Sequence, residues 1–187
     1  MDDERGYFRF HLWLLVVPSH VFVDESKVRG LLVAAVVSSA TDVNVHRRAM
    51  ASLLMPRQRR LHFTKESAAR QRQILGVIDT LDLTFRLYQA ARNDAAGRQA
   101  CLFAVVEDAA DHAERLVVER DETTLDFDRR VLYSAARKHG CTETLQYELL
   151  APHLDPMLWI PDAVAWAWTK GGEWRRRVSA RSIVRKV

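Results

Sequence analysis

Cysteine is scarce. Cys101 and Cys141 are the only two among 187 residues, which excludes a disulfide framework and fits a reducing cytoplasm. Seven glycines and five prolines are too few for a low-complexity or collagen-like chain. No CxxC pair, Walker A loop, GxGxxG turn or HExxH pair occurs, so the sequence signatures of dithiol redox, P-loop, dinucleotide and zinc-protease chemistry are all missing. Gly171-Gly172-Glu173-Trp174 is no phosphate loop, because no strand feeds it. There is no internal repeat and no linker long enough to divide the chain.

Long apolar runs are also missing. The one hint, Phe10 to Pro18, falls far short of the ~18–20 residues that span a bilayer. Arg5 and Arg9 precede it as in a signal peptide, but so do Asp2, Asp3 and Glu4, and no small-residue cleavage site follows. A buried strand or an over-extended start is the expectation.

What is present is ordinary globular material: 48% apolar and 28% charged residues, in a length of about one domain. A chain of this size buries about 70% of its unfolded surface and needs no metal or disulfide staple. Lys and Arg number 28 against 24 Asp and Glu, a net charge of +4. That balance is compatible with nucleic acid without requiring it. The distribution is more informative, since WRRRVSARSIVRKV after Glu173 has no acidic side chain.

Hydrophobic periodicity predicts an alternation of strands and helices. Val21–Ser26 and Gly30–Ser39 read as a β-hairpin. Val43–Met55 reads as a helix stopped by Pro56, Arg60–Thr64 as a third strand, and Lys65–Asp82 as a helix. Leu83–Ala90 alternates strictly, as a half-buried strand does. A helix over Asp94–His112 follows, then Arg115–Arg120 as a strand of the continuous apolar kind buried in parallel sheets. A helix over Leu125–His139 closes at Gly140, Thr144–Leu150 is a sixth strand, and Ile160–Lys170 is a final helix with Pro161 in its first turn. Early hairpins followed by β-α-β units imply an α/β fold: a mixed central sheet, its first three strands antiparallel and later ones parallel, flanked by helices.

Four carboxylates stand where elements end: Asp24 after the first strand, Glu66 opening a helix, Asp121 after Arg115–Arg120, and Asp162 in the first turn of the last helix. Functional sites of open α/β sheets gather at strand carboxyl ends. Carboxylates that converge repel one another unless cations neutralise them, and oxygen ligands suit Mg²⁺ or Mn²⁺. Two such ions about 3.5–4 Å apart stabilise the attacking and leaving oxygens of an in-line phosphodiester displacement. Each residue also has a plain local role: Asp24 capping a turn, Glu66 and Asp162 as first-turn helix carboxylates, Asp121 as a solvated turn residue. Only their order along the chain lifts the set above these.

VFVDES, HFTKES, VVERD and IPDAVAWAW together resemble the prokaryotic domain-of-unknown-function family 3800, over about residues 19–170. The family's first strand ends in Asp-Glu-Ser, here Asp24-Glu25-Ser26; its last helix carries Ala-Asp, here Pro161-Asp162. The resemblance implies an RNase H-like domain over residues 19–170, with 1–18 as an apolar extension and 171–187 as a basic tail. It implies a metal-dependent nuclease or related phosphodiester-processing protein, with Asp24, Glu66, Asp121 and Asp162 as catalytic and metal-holding residues. Glu119 stands as the alternative to Asp121, the register of that strand being left open.

His62 near the site, and Trp159, Trp166 and Trp168 as stacking platforms, have structural or core roles as their simpler reading. Arg175, Arg176, Arg177 and Arg181 are the candidate nucleic-acid contacts, with Arg57, Arg59 and Arg60 the other dense basic cluster. The rival readings are a catalytically inactive nucleic-acid-binding module of the same fold, and an interaction protein dimerising through its apolar N-terminal segment. A cytoplasmic location and no membrane partner are expected.

Overall fold

The structure is a computed structural model that describes residues 17–28 and 30–187. Nearly all of the Phe10–Pro18 run, and with it any dimer interface formed there, lies outside the described residues. Among the described residues, six strands form the sheet: β1 (Ser19–Ser26), β2 (Leu31–Ser39), β3 (Thr84–Ala90), β4 (Ala113–Glu119), β5 (Gln146–Leu150) and β6 (Ser182–Lys186). Six α-helices of the described residues surround it: α1 (Val43–Ala51), α2 (Ala68–Asp79), α3 (Ala95–Ala109), α4 (Leu125–Lys138), α5 (Trp159–Lys170) and α6 (Gly172–Ser179).

The strand order is β5-β4-β1-β2-β3-β6. β1, β2 and β3 are antiparallel neighbours, β4 runs parallel to β1, and β5 and β6 lie parallel to β4 and β3. The mixed sheet expected from the element order is therefore the one observed. Both its faces are covered, as the near-continuous apolar run of β2 requires. Side chains alternate across a strand, so Val21, Val23, Val33 and Ala35 pack with α3 and α4. Phe22, Ala34 and Val36 face the other way, into a core shared with α1, α2, α5 and α6. In α5, Ala163, Ala165 and Ala167 are all at most 1% exposed, and these small side chains let the helix lie close against β1 and β2.

Two expectations are corrected. Arg60–Thr64 is not a strand: Phe63–Lys65 forms a 3-10 turn, and the Phe63 N–H donates to Asp162 at 3.0 Å, not to a sheet neighbour. Leu61 and Phe63 are buried, so their alternation reflects packing into the helix-covered core. The stretch after Gly171 is likewise no loose tail. Gly171 and Gly172 take φ of 79° and 58°, a left-handed turn that costs glycine little and redirects the chain from α5 into α6. Trp174 and Val178, four residues apart on one helix face, are buried, and β6 then joins the sheet edge.

Candidate active site

β1 and β4 end side by side. Their parallel register pairs Phe22 with Val117 and Val23 with Val118, so Asp24 and Glu119 stand one step further on, both on the face covered by α5. The first turn of α5 brings Asp162 to the same place, where its Oδ2 accepts the Phe63 N–H. Asp24 in turn accepts the N–H of Glu25 at 2.7 Å through Oδ1. Each of the two aspartates thus spends one oxygen on a backbone donor. They line one open cleft of about 1280 Å³ with Glu119, together with Lys27, Arg60, His62, Trp166 and Lys170.

The electrostatics follow from that crowding. Burial, then the charges of Glu119 and Asp162, push the Asp24 carboxyl well above the usual aspartate range. Burial raises Glu119 to about 7, reinforced by Asp162 and opposed by Arg60, whose guanidinium lies 3.8 Å away. Burial also raises Asp162, against the pull of the Phe63 N–H, His62 and Arg60. Three carboxylates share a pocket that disfavours their negative charge.

Asp121 behaves differently. Two residues after Glu119 it would share that residue's face had β4 continued, but the strand ends at Glu119. Asp121 instead accepts the hydroxyl and N–H of Thr123 at 2.6 and 2.9 Å and lies 3.1 Å from Lys27. These bonds hold it down to about 2. It lines the rim of the cleft. Glu66 is not among the residues lining the cleft: it accepts from Gln58 at 2.7 Å and lies 3.9 Å from Arg70, tying the loop before α2 to that helix. Glu119 is the harder residue to find from sequence. Its signal is register, as the last residue of an apolar strand that pairs in parallel with the strand carrying Asp24.

Of the aromatic candidates, Trp159 and Trp166 line the cleft. Trp159 donates its indole N–H to the Pro152 carbonyl, and Trp166 packs edge-on against Phe63 and Trp174. Trp168 is 8% exposed. Among the basic residues of α6 and beyond, Arg177 and Arg181 bind Asp79 on α2, whereas Arg175 and Arg176 are exposed.

No protein-family model matches the chain, and no curated protein does. Its structure is similar to a chain of the PCNA:RNase HII complex from Archaeoglobus fulgidus, with a TM-score of 0.54 and 14% identity, covering 88% of this chain and 75% of that one. The fold is RNase H-like. A further similarity is to Bst-RNase HIII in complex with Mn²⁺, with a TM-score of 0.44 and 11% identity, covering 81% of this chain and 52% of that one. In this RNase H-like domain the cleft lies at the carboxyl ends of β1 and β4, where α/β sheets commonly place their sites.

No group of three or more His, Cys, Asp or Glu side chains among the described residues stands in position to hold a metal ion. The donor chemistry of Asp24, Glu119 and Asp162 nevertheless fits a hard divalent cation: all three offer carboxylate oxygens, and their raised proton affinity marks a place where positive charge is favoured. No helix among the described residues is long and apolar enough to cross a membrane.

Without metal, the crowding sets a pH dependence. Between its ordinary value of 4.5 and about 7, Glu119 is protonated in the fold and ionised in the unfolded chain. Stability therefore falls as pH rises through that window, by about 1–3 kcal/mol. Asp24 and Asp162, also raised, act in the same direction. Asp121 acts oppositely, but its contribution is lost only as pH falls toward about 2. Urea unfolding of chelator-treated protein at pH 5 and pH 8 checks this, and Glu119→Gln should flatten the dependence.

Proposed function

We propose that the protein is a divalent-metal-dependent nuclease or related phosphodiester-processing enzyme of the family 3800 type. The reading is carried by one observation: the half-buried, mutually repelling carboxylates of Asp24, Glu119 and Asp162 at one end of an RNase H-like sheet. These three would hold Mg²⁺ or Mn²⁺, with Asp121 at the rim. When bound, such an ion supplies Lewis-acid stabilisation of the charge that develops on a phosphodiester in transfer.

The chain's own residues do the rest. The Glu25 N–H and the Phe63 N–H hold one oxygen each of Asp24 and Asp162, orienting the free oxygens. Arg60 and Lys170 on the cleft wall supply positive charge for a phosphate backbone, and Lys27 screens Asp121 and Glu25. Nucleic acid is the substrate class that fits both the cleft's size and the carboxylate–cation pairing. Its location is proposed as cytoplasmic.

Calorimetry with Mn²⁺ and cleavage of labelled single- and double-stranded DNA and RNA test the proposal. Wild-type protein should bind Mn²⁺ and cut at least one of these substrates; Glu119→Gln and Asp162→Asn should each lose about a hundredfold or more in rate. Nucleic-acid binding without Mn²⁺-dependent cleavage would instead assign an inactive binding module of the same fold.

A further inference from the structure

A second, smaller hollow of about 350 Å³ adjoins the cleft. Val28 and Thr169 line both. Its walls come from α5, α6 and the β3–β6 edge: Trp168, Arg175, Gln89 and Lys186, over a floor that includes Leu31. Gln89 and Lys186 are register partners across β3 and β6, so the strand formed by the chain's last residues builds one wall.

Charge distinguishes this hollow. The basic residues after Glu173 divide into two groups. Arg177 and Arg181 are tied to Asp79, and Arg185 to Glu107 and Asp108. Arg175 and Lys186 have no carboxylate within ion-pair distance among the described residues, and both line the hollow. The Arg175 guanidinium lies over the Trp168 ring, 3.9 Å from its centroid. Stacking of this kind holds the guanidinium fork in place with its N–H edge free, the geometry suited to a phosphate.

Distance links the hollow to the carboxylates. Asp162 and Thr169 lie seven positions apart on α5, about 10 Å along the helix axis. That is the rise of about three nucleotides in a duplex strand and fewer in an extended one. Val28, 58% exposed, gives the hollow an apolar surface that packs favourably against a base or sugar face. A base within a duplex stack does not offer that face, and an unpaired nucleotide does.

We infer that this hollow is a phosphate- and base-binding subsite for single-stranded nucleic acid two or three nucleotides from the carboxylates, with Arg175 and Lys186 as its phosphate-binding side chains. The inference rests on the nuclease reading for its substrate class, but its test does not depend on cleavage.

The experiment is fluorescence anisotropy with a labelled single-stranded oligonucleotide and a hairpin duplex, at several salt concentrations, on Asp24→Asn protein without divalent metal. Single strand should bind more tightly than duplex. Adding Arg175→Glu and Lys186→Glu should weaken single-strand binding tenfold or more and flatten its logarithmic salt dependence by about 0.7 for each phosphate no longer neutralised. Arg129→Glu with Arg137→Glu, an equal charge change on α4 across the sheet, should change binding less than threefold. Arg175→Gln with Lys186→Gln should give an intermediate loss.

Equal losses from the α4 and hollow variants, a duplex bound as tightly as the single strand, or no binding at all would overturn the inference. Cleavage by wild type with binding untouched in the hollow variants removes the subsite and leaves the nuclease reading standing. Binding lost in those variants, with no cleavage by wild type, does the reverse.

Discussion

Asp24→Asn should slow the proposed metal-dependent cleavage and, in the same protein, raise the stability of the metal-free fold. The two effects share a cause. Asp24 is driven well above its ordinary range by burial and by Glu119 and Asp162, so its negative charge is opposed by both desolvation and repulsion. Asparagine keeps the size of the side chain and an oxygen to accept the Glu25 N–H, while removing the charge. The expected gain is about 2 kcal/mol at pH 8, or about 4–8 °C in Tm for a domain of this length. The expected loss in cleavage rate is about a hundredfold or more. Millimolar Mn²⁺ should reverse the order of stability, because only wild type gains from binding the ion. Thermal unfolding with chelator and with Mn²⁺, beside a cleavage assay, checks all three. A destabilised Asp24→Asn protein without metal would show that the aspartate is held by favourable contacts and not by fold-imposed crowding.

Arg98→Ala should cost the most stability of any single charge removal. On the sheet face opposite the carboxylates, Arg98 donates a fork to Asp128 at 2.6 and 2.7 Å and a third bond to Glu25 at 2.5 Å. Asp128 is fully buried and also accepts from the Thr124 hydroxyl. Removing the guanidinium strands a buried carboxylate, a loss of about 3–5 kcal/mol and roughly 6–20 °C in Tm. The bridge also joins α3 and α4 to the end of β1, one residue from Asp24. Urea unfolding of Arg98→Ala, Asp128→Ala and the double variant measures the coupling; a single-variant loss under about 1 kcal/mol would show that α3 and α4 hold β1 by apolar packing alone.

The places where sequence and structure part company have a common origin. Period-two alternation at Leu61 and Phe63 arises equally from a strand and from an extended segment pressed against a helix, and here Asp162 takes the N–H that a sheet neighbour would have bonded. The run after Gly171 reads as a tail because its charge is one-sided. Its acidic partners, Asp79, Glu107 and Asp108, lie about a hundred or eighty residues away in the chain and close in space. Glu66 stands at the right point in the order of elements but bonds to Gln58 and pairs with Arg70, since the segment before it is a loop and not a sheet strand.

By itself the sequence determined the alternation of strands and helices, the central hairpin, the mixed sheet and the positions of Asp24 and Asp162 at element ends. These follow from local period, turn chemistry and the limited ways of burying two-faced strands. Only the tertiary structure decided that Glu119 joins those aspartates, because β1–β4 register is a long-range pairing in which a one-residue slip reverses every side chain. It alone decided, too, which arginines are neutralised by α2 and α3 and which have no acidic partner among the described residues. Charge pairing across the fold depends on distance in space, and sequence separation does not carry that information.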